Sequence, residues 1–401
     1  MNILFITIAW PASGERNLYS DLMDEFATAG HKVYVVGAND TDGLQYSGIV
    51  NERGISVLRI RSGKIRKTSH IRKMVSLLGL ERKMMNAIDK HFGQIKIDLI
   101  LSPTPPITLA HLYIKLKKKY RANFYLLLKD IWPQGSVDHQ VFRKYSIPWL
   151  FFRLNEIRTY KTADYIGCMS PLGVRYILSR NKYLTRNKVE VCPNCIRPNE
   201  KKIHVNIDSV RSNYNIPPHA CVFIFSGNLG VGHGLGFLIE AIRTLKDYSK
   251  AFFIIGGSGT HFRFLSEIVK EHSLKNVFIY QWLPAVEFEK ILAASDVGLI
   301  LLYKYTVPQF PSRLLSYLDY SKPVLCAVNK ETDIGTIVTN SGSGCSVIHG
   351  DLEGFIYEVK SLSENKYYRE EMGRNARKLL IHNYTVKHAY EIIMSHFNDE
   401  K

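Results

Sequence analysis

Long apolar runs are missing from this sequence. No stretch approaches the ~18 to 20 apolar residues of a membrane-spanning helix, which predicts a soluble, globular chain. Nor is a secretory leader expected from Asn2 to Trp10, which is apolar but has no basic region before it and is ended early by Pro11 and Gly14. That run predicts a buried first strand instead. Cysteine is sparse, six residues scattered over 401, which argues against a disulfide framework and for free thiols in a reducing cytoplasm. Cys192-Pro193-Asn194-Cys195 has redox spacing without a thioredoxin context. Asp40-Thr41-Asp42 is an acidic pair that reads as a loop rather than a metal site, and His233 is a single imidazole among glycines, able to touch phosphate but not by itself a metal site.

Acidic residues are also short, 36 against 53 Lys and Arg, leaving a net charge of +17. An excess of that size implies an anionic partner. It concentrates in residues 59–90, where Arg59, Arg61, Lys64, Arg66, Lys67, Arg72, Lys73, Arg82, Lys83 and Lys90 are offset only by Glu81 and Asp89. Met74, Val75, Leu77, Leu78 and Leu80 interrupt the run. Basic plus apolar is the composition of a surface resting on anionic lipid, although a solvated basic helix would read the same way. No nucleic-acid fold signature accompanies the charge, so nucleic acid is not expected as a partner.

What is present is alternation. In the C-terminal half, β-rich runs at 222–225, 252–255, 277–280, 297–302, 324–328 and 345–348 alternate with helix-length segments. That rhythm predicts a parallel sheet with crossover helices. Runs at 3–8, 33–36, 99–101, 124–128 and 165–168 repeat it in the N-terminal half. The expectation is an α/β chain of two Rossmann-like domains, 1–195 and 219–366. Between them the polar stretch 196–218 is expected as linker, and 367–401 as helices divided at His382-Asn383-Tyr384 and returning to the N-terminal domain.

Three turns after C-terminal strands carry chemistry, because glycine-rich turns and helix N-termini place N–H groups where phosphates bind best. Ser226-Gly227-Asn228-Leu229-Gly230, followed by Gly232, His233, Gly234 and Gly236, permits close approach of an anion. Gly256-Gly257-Ser258-Gly259 reads as a plain tight turn and fails the dinucleotide fingerprint, since Phe262 stands where the third glycine belongs. Pro308-Gln309-Phe310-Pro311-Ser312-Arg313 opens a helix over 314–320. Pro311 suits a first helical turn, and Arg313 offers a bidentate contact to a diphosphate.

The order SGNLG, IIGGSG, Gln281-Trp282-Leu283-Pro284, ASDVGLILL and PSRLLSYLDYSKPVL resembles the family 4 glycosyltransferases, in the branch that assembles bacterial capsule, O-antigen and other surface polysaccharides. Pro11 to Gly14, Gly30-His31-Lys32-Val33, Asp130-Ile131-Trp132-Pro133 and Pro193-Asn194 extend the match across residues 1 to about 385. The resemblance implies a GT-B fold, two Rossmann-like domains facing across a cleft, with a nucleotide-diphosphate sugar held by the C-terminal one. It implies retention of anomeric configuration and no metal or cofactor. The family's diphosphate site maps onto Gly227, Asn228, Phe310, Pro311, Ser312 and Arg313, its nucleobase pocket onto Trp282 and Leu283, its opening loop onto Gly14, and its sugar-facing residue onto Asp130. Asp138 and His139 are reserve candidates for an acceptor-side base, or else a solvated polar loop.

Two departures stand out. The family's paired glutamates around the third turn are Pro308 and Ser316 here, so Ser316 offers one short hydrogen bond to a ribose where a carboxylate offers two. Asn228 replaces a basic residue common in the family. The implied function is transfer of a sugar, favoured as UDP-linked and including N-acetylhexosamines, to a polyprenyl-diphosphate-linked glycan at the inner face of the cytoplasmic membrane. The alternatives are a sugar-nucleotide epimerase on the same fold and a catalytically silent scaffold subunit.

Overall fold

A strand covered by helices on both sides is apolar at successive positions rather than alternate ones. Ile3–Ile6, Phe124–Leu128, Val222–Phe225 and Phe252–Ile255 have that character and are all buried. In the computed structural model, which describes residues 1–39, 48–62, 70–138, 140–200, 205–303 and 307–397 (70–78 by backbone alone), these runs are central strands. Asp40 to Asp42, Lys64, Arg66, Lys67 and His139 lie outside the described residues. The chain divides into two compact units, Met1–Arg197 with Thr385–Lys401, and Pro198–Tyr384.

The first unit holds β1 (Asn2–Thr7), β2 (Lys32–Asn39), β3 (Ile49–Glu52), β4 (Ile55–Arg61), β5 (Leu99–Pro103), β6 (Asn123–Leu128), β7 (Tyr165–Cys168) and β8 (Val189–Val191), ordered β3-β4-β2-β1-β5-β6-β7-β8. Only the β3–β4 hairpin is antiparallel among these pairs. The order reverses between β1 and β5, so the loops after those strands open side by side at the carboxyl edge.

The second unit holds β9 (Cys221–Asn228), β10 (Ala251–Ser258), β11 (Val277–Tyr280), β12 (Val297–Leu301), β13 (Val324–Val328) and β14 (Gly344–Ile348), all parallel, ordered β11-β10-β9-β12-β13-β14. Its switch point lies between β9 and β12. Phe223, Phe225, Phe253 and Ile255 form a core with Leu235, Leu238, Ile239 and Ile242 of the helix Leu235–Thr244. That i, i+3, i+4, i+7 spacing gives the helix one apolar stripe toward the sheet.

The eleven runs read as strands in the sequence all form strands. β3, β4 and β8 were not anticipated. β3 alternates exposed and half-buried residues, β8 is only three residues long, and β4 is hidden in the basic run. Arg59, read as part of a lipid-facing surface, is instead buried in β4. It ion-pairs with Glu52 at 2.5 Å and donates to the Pro11 carbonyl at 2.9 Å.

The C-terminal helices part company at the anticipated break. Lys366–Asn383 belongs to the second unit, where Arg377 ion-pairs with Asp319, whereas Val386–Met394 packs Val386, Ala389 and Ile393 into the core of the first. Within 196–218 the structure contains a short helix, Ile207–Asn213, and Arg211 bonds to Asp296 at 2.7 Å and to the Ala294 carbonyl. This anchoring is charged rather than apolar, so no hydrophobic period marked it.

Candidate functional site

β9 and β10 run on together past their apolar cores into Gly227-Asn228 and Gly257-Ser258. Gly227 and Gly257 have φ of +131° and +138°, and a Cβ on Gly257 would lie 1.7 Å from the Gly227 carbonyl oxygen. Gly256-Gly257-Ser258, read from the sequence as part of a tight turn, is instead the end of β10, and Gly257 serves the close approach of two strand ends. Beyond it, the loop after β9 is tied down at both ends of Leu229, whose N–H donates to Ser258 and whose carbonyl accepts from His261.

Arg313 sits at this strand end. Its Cζ lies 4.3 Å from the centroid of Phe225, and a methyl group on Gly227 would come within 2.8 Å of Nη2, so the guanidinium rests directly on the glycine backbone. Nη2 also approaches His233 Nε2 at 3.4 Å. His233 is buried and its Nδ1 is 2.9 Å from the Leu301 carbonyl, a geometry that assigns the proton to Nδ1 and leaves Nε2 to accept from Arg313. His233 thus orients the arginine.

The helix that bears Arg313 is fixed from below. Tyr317, fully buried, donates to the Ile224 carbonyl at 3.1 Å, and its ring occupies the space left by Gly298 on β12, where a Cβ would lie 2.3 Å from the ring. Gly298→Ala is therefore expected to destabilise the unit by about 1–3 kcal/mol through overpacking. Displacing Tyr317 also moves Arg313, so any affinity of this turn for an anionic ligand should fall with stability; urea unfolding and ligand titration of the same variant read the two effects.

Two helices begin beside Arg313. Leu235–Thr244 starts at Gly234, whose left-handed backbone (φ +58°) lies against Tyr303 and His349, and Arg313–Asp319 starts at Ser312. Neither start has a side-chain cap; the Phe237, Leu314 and Leu315 N–H groups bond back to the Gly234, Pro311 and Ser312 carbonyls, which leaves the Leu235 and Gly236 N–H groups as the first-turn donors an anion would meet. Pro311 lies just before Ser312 rather than within the first turn, and its carbonyl accepts from Leu314. The structure thus brings together Gly227, His233 and Arg313, while Asn228 follows Gly227 at the exposed end of β9 and Ser312 directly precedes Arg313. Phe310 is buried against Tyr384, centroids 5.6 Å apart, so only its backbone faces the turn. Ser316 is half-buried in the following turn, while Trp282, exposed, and Leu283 follow β11, two strands from β9 on the same edge.

In the first unit, Asp130 follows β6. Its backbone carbonyl accepts from Thr104 Oγ1 at 3.2 Å, and Thr104 in turn accepts from the Lys129 N–H. The carboxyl meets solvent, yet protein crowds its remaining sides, and the loss of surrounding water raises it to about 6. Tyr19, whose phenol is raised by burial and by the charge of Asp130, is a neighbour that no sequence signal revealed. Gly14, with φ +85°, is exposed in the loop after β1 on the same edge, two strands from β6. Asp138 closes the short helix Gln134–Asp138 and accepts from Gln134 Nε2 at 3.1 Å. The six cysteines are free, and burial raises the Cys195 thiol to about 12, the opposite of what thiol exchange requires.

Residues 206–379 match the family Glycosyl transferases group 1. Among curated proteins, the chain is 26% identical over 261 residues to the probable glycosyltransferase WbjE of Pseudomonas aeruginosa, covering 62% of this chain and 61% of that one. It is 24% identical over 136 residues to the putative colanic acid biosynthesis glycosyl transferase WcaI of Escherichia coli K12, covering 33% and 32%. The match thus spans about three fifths of the length of WbjE and a third of WcaI. Among solved structures, it superposes on sucrose-phosphate synthase of Thermosynechococcus elongatus with a TM-score of 0.77 at 15% identity, covering 98% of both chains. It superposes on HepE of Anabaena with a TM-score of 0.70 at 15% identity, covering 99% of both. Two Rossmann-like units with these neighbours make this a chain of GT-B fold whose residues 206–379 match the glycosyl transferases group 1 family.

Proposed function

We propose that the chain is a retaining, metal-independent glycosyltransferase of family 4 type that moves a hexose or N-acetylhexosamine from a UDP-sugar to a polyprenyl-diphosphate-linked glycan in surface polysaccharide synthesis. The observation that carries the reading is Arg313, held on Gly227 by Phe225 and His233 between two uncapped helix starts. Breaking the bond from the anomeric carbon to the diphosphate develops negative charge on the leaving oxygen and positive character on the sugar. Arg313 and the N–H groups stabilise the first, without calling on a cation. Asp130 stabilises the second or holds a sugar hydroxyl. The leaving phosphate oxygen takes the acceptor hydroxyl proton while the new carbon–oxygen bond forms on the same face, so no protein nucleophile is needed.

UDP is supported by the likeness to HepE, a structure determined with UDP and glucose, and the polysaccharide context by the name of WcaI, a putative colanic acid biosynthesis glycosyl transferase. The basic run 59–90 supports a peripheral place at the inner face of the cytoplasmic membrane, with Arg82, Lys83 and Lys90 exposed on the helix His70–Phe92. A thermal-shift panel of UDP, GDP, ADP, TDP and CMP tests the reading. One nucleotide at ~100 times its dissociation constant should add ~2.7 kcal/mol of stability.

Pro308 and Ser316, where the family carries glutamates, favour a second reading, a silent scaffold. No shift with any nucleotide would support it. Sugar-nucleotide conversion without an acceptor would instead identify an epimerase.

A further inference from the structure

The helix Ile147–Thr162 of the first unit leaves an apolar stripe in water. Ile147 is 83% exposed, Leu150 49% and Leu154 52%, with Phe151 beside them. These positions are three and four residues apart and share one helical face, which Arg158 and Lys161 continue. Val141 and Tyr145, also exposed, extend it into the preceding loop, with Arg143 and Lys144. The described residues of 140–162 include one acidic side chain, Glu156, and it is buried.

The adjacent face of the same helix lines a pocket of about 200 Å³, walled by Lys144, Tyr145, Trp149, Arg153, Tyr176 and Arg180. Ile131 and Pro133, just past Asp130, also line it, and so does one carboxylate, Glu156. Arg153 ion-pairs with Glu156 and bonds Asn181 at 2.7 Å. Among the described residues, Lys144 and Arg180 have no ion-pair partner; they lie 4.9 and 5.6 Å from the rings of Tyr145 and Tyr176. The pocket therefore carries a surplus of two cations in a space suited to a small anion.

We infer that this face docks on an anionic lipid bilayer, its stripe among the acyl chains and the Lys144–Arg180 pocket around a lipid phosphate. Charge of one sign surrounding an apolar stripe matches the headgroup level of such a bilayer. The surface is distinct from the run 59–90. It deepens the proposed function by giving a lipid-linked acceptor's phosphate a place beside Asp130, and rests on that reading only in this respect.

The test is co-sedimentation of the full chain with vesicles of phosphatidylcholine alone or mixed with phosphatidylglycerol. Leu150→Glu with Leu154→Glu should lower partitioning onto the mixed vesicles at least about tenfold, and Ile147→Ser, at a position too exposed to unfold the chain, should lower it in the same direction. Lys144→Gln and Arg180→Gln should each lower it about fivefold, with a weaker salt dependence. All variants should keep wild-type melting and any nucleotide shift.

Wild-type partitioning by the stripe variants overturns the inference. So does loss of a concentration-dependent dimer with vesicle binding intact, which would make the face a contact between copies. Stabilisation by inorganic diphosphate without vesicle binding would assign the pocket to a soluble anion and likewise overturn it. A wild-type chain that binds vesicles but no nucleotide removes the donor reading and leaves this surface standing.

Discussion

Arg313→Ala should leave the melting temperature without ligand almost unchanged and abolish the nucleotide-dependent shift. Arg313 is half-buried, with Nη1 shielded from solvent, and its contact with Phe225 contributes about 0.5–1 kcal/mol to folding. The larger role proposed for it is in the transition state, where a preorganised donor facing developing charge is worth about 10²–10³ in rate. We therefore expect kcat/KM to fall by about that factor. Arg313→Lys should recover only part of it, because an ammonium keeps the charge but not the planar fork, and it cannot span Gly227 and His233 Nε2 together. Equal nucleotide affinity in wild type and Arg313→Ala would remove the diphosphate from this turn.

Asp130→Asn separates catalysis from donor binding. Asp130 lies in the first unit and the turn proposed to hold the diphosphate in the second, so on that reading the substitution should abolish turnover and leave any nucleotide-induced shift intact. Its carboxyl is raised to about 6 by lost solvation. The charged form is the one proposed to act, so kcat/KM of the wild type should fall tenfold per pH unit below ~6, and residual activity of Asp130→Asn should lack that limb. The stability sign is opposite. A raised carboxyl disfavours folding while it is ionised, and the penalty disappears as pH falls through about 6 toward the ordinary carboxylate value. Asp130→Asn should accordingly melt at or above the wild type at pH 7.5, the pattern of a residue kept for chemistry rather than for the fold. Near-normal turnover would withdraw the assignment.

Much of the fold was legible because its signals are local. Doubly buried strands such as Val222–Phe225 need apolar side chains at every position, and glycines such as Gly227, Gly234 and Gly257 answer backbone demands visible as composition. The short helix anchored by Arg211 and the buried pair Arg59–Glu52 were not legible, since each is stabilised by a charge partner well removed in sequence or disguised in a basic run. Of the candidate site, Arg313, His233 and Gly227 were named from the sequence. Phe225 beneath Arg313, Tyr317 in the space beside Gly298, and Tyr19 near Asp130 were not, because a core aromatic carries no mark of the polar group it will support.

The sequence by itself determined the alternation of strands and helices, the glycine-rich turns and the uneven charge, all properties of contiguous stretches of chain. Tertiary structure decided which of those stretches meet. Strand order placed the loop after β9 beside the loop after β12, some eighty residues on, so that His233 reaches Arg313. It also assigned the two C-terminal helices to different units and left the stripe on Ile147–Thr162 uncovered. Crossover connections can carry a strand to either side of its predecessor with the same local pattern. The choice is made by packing across the whole sheet, which no short window contains.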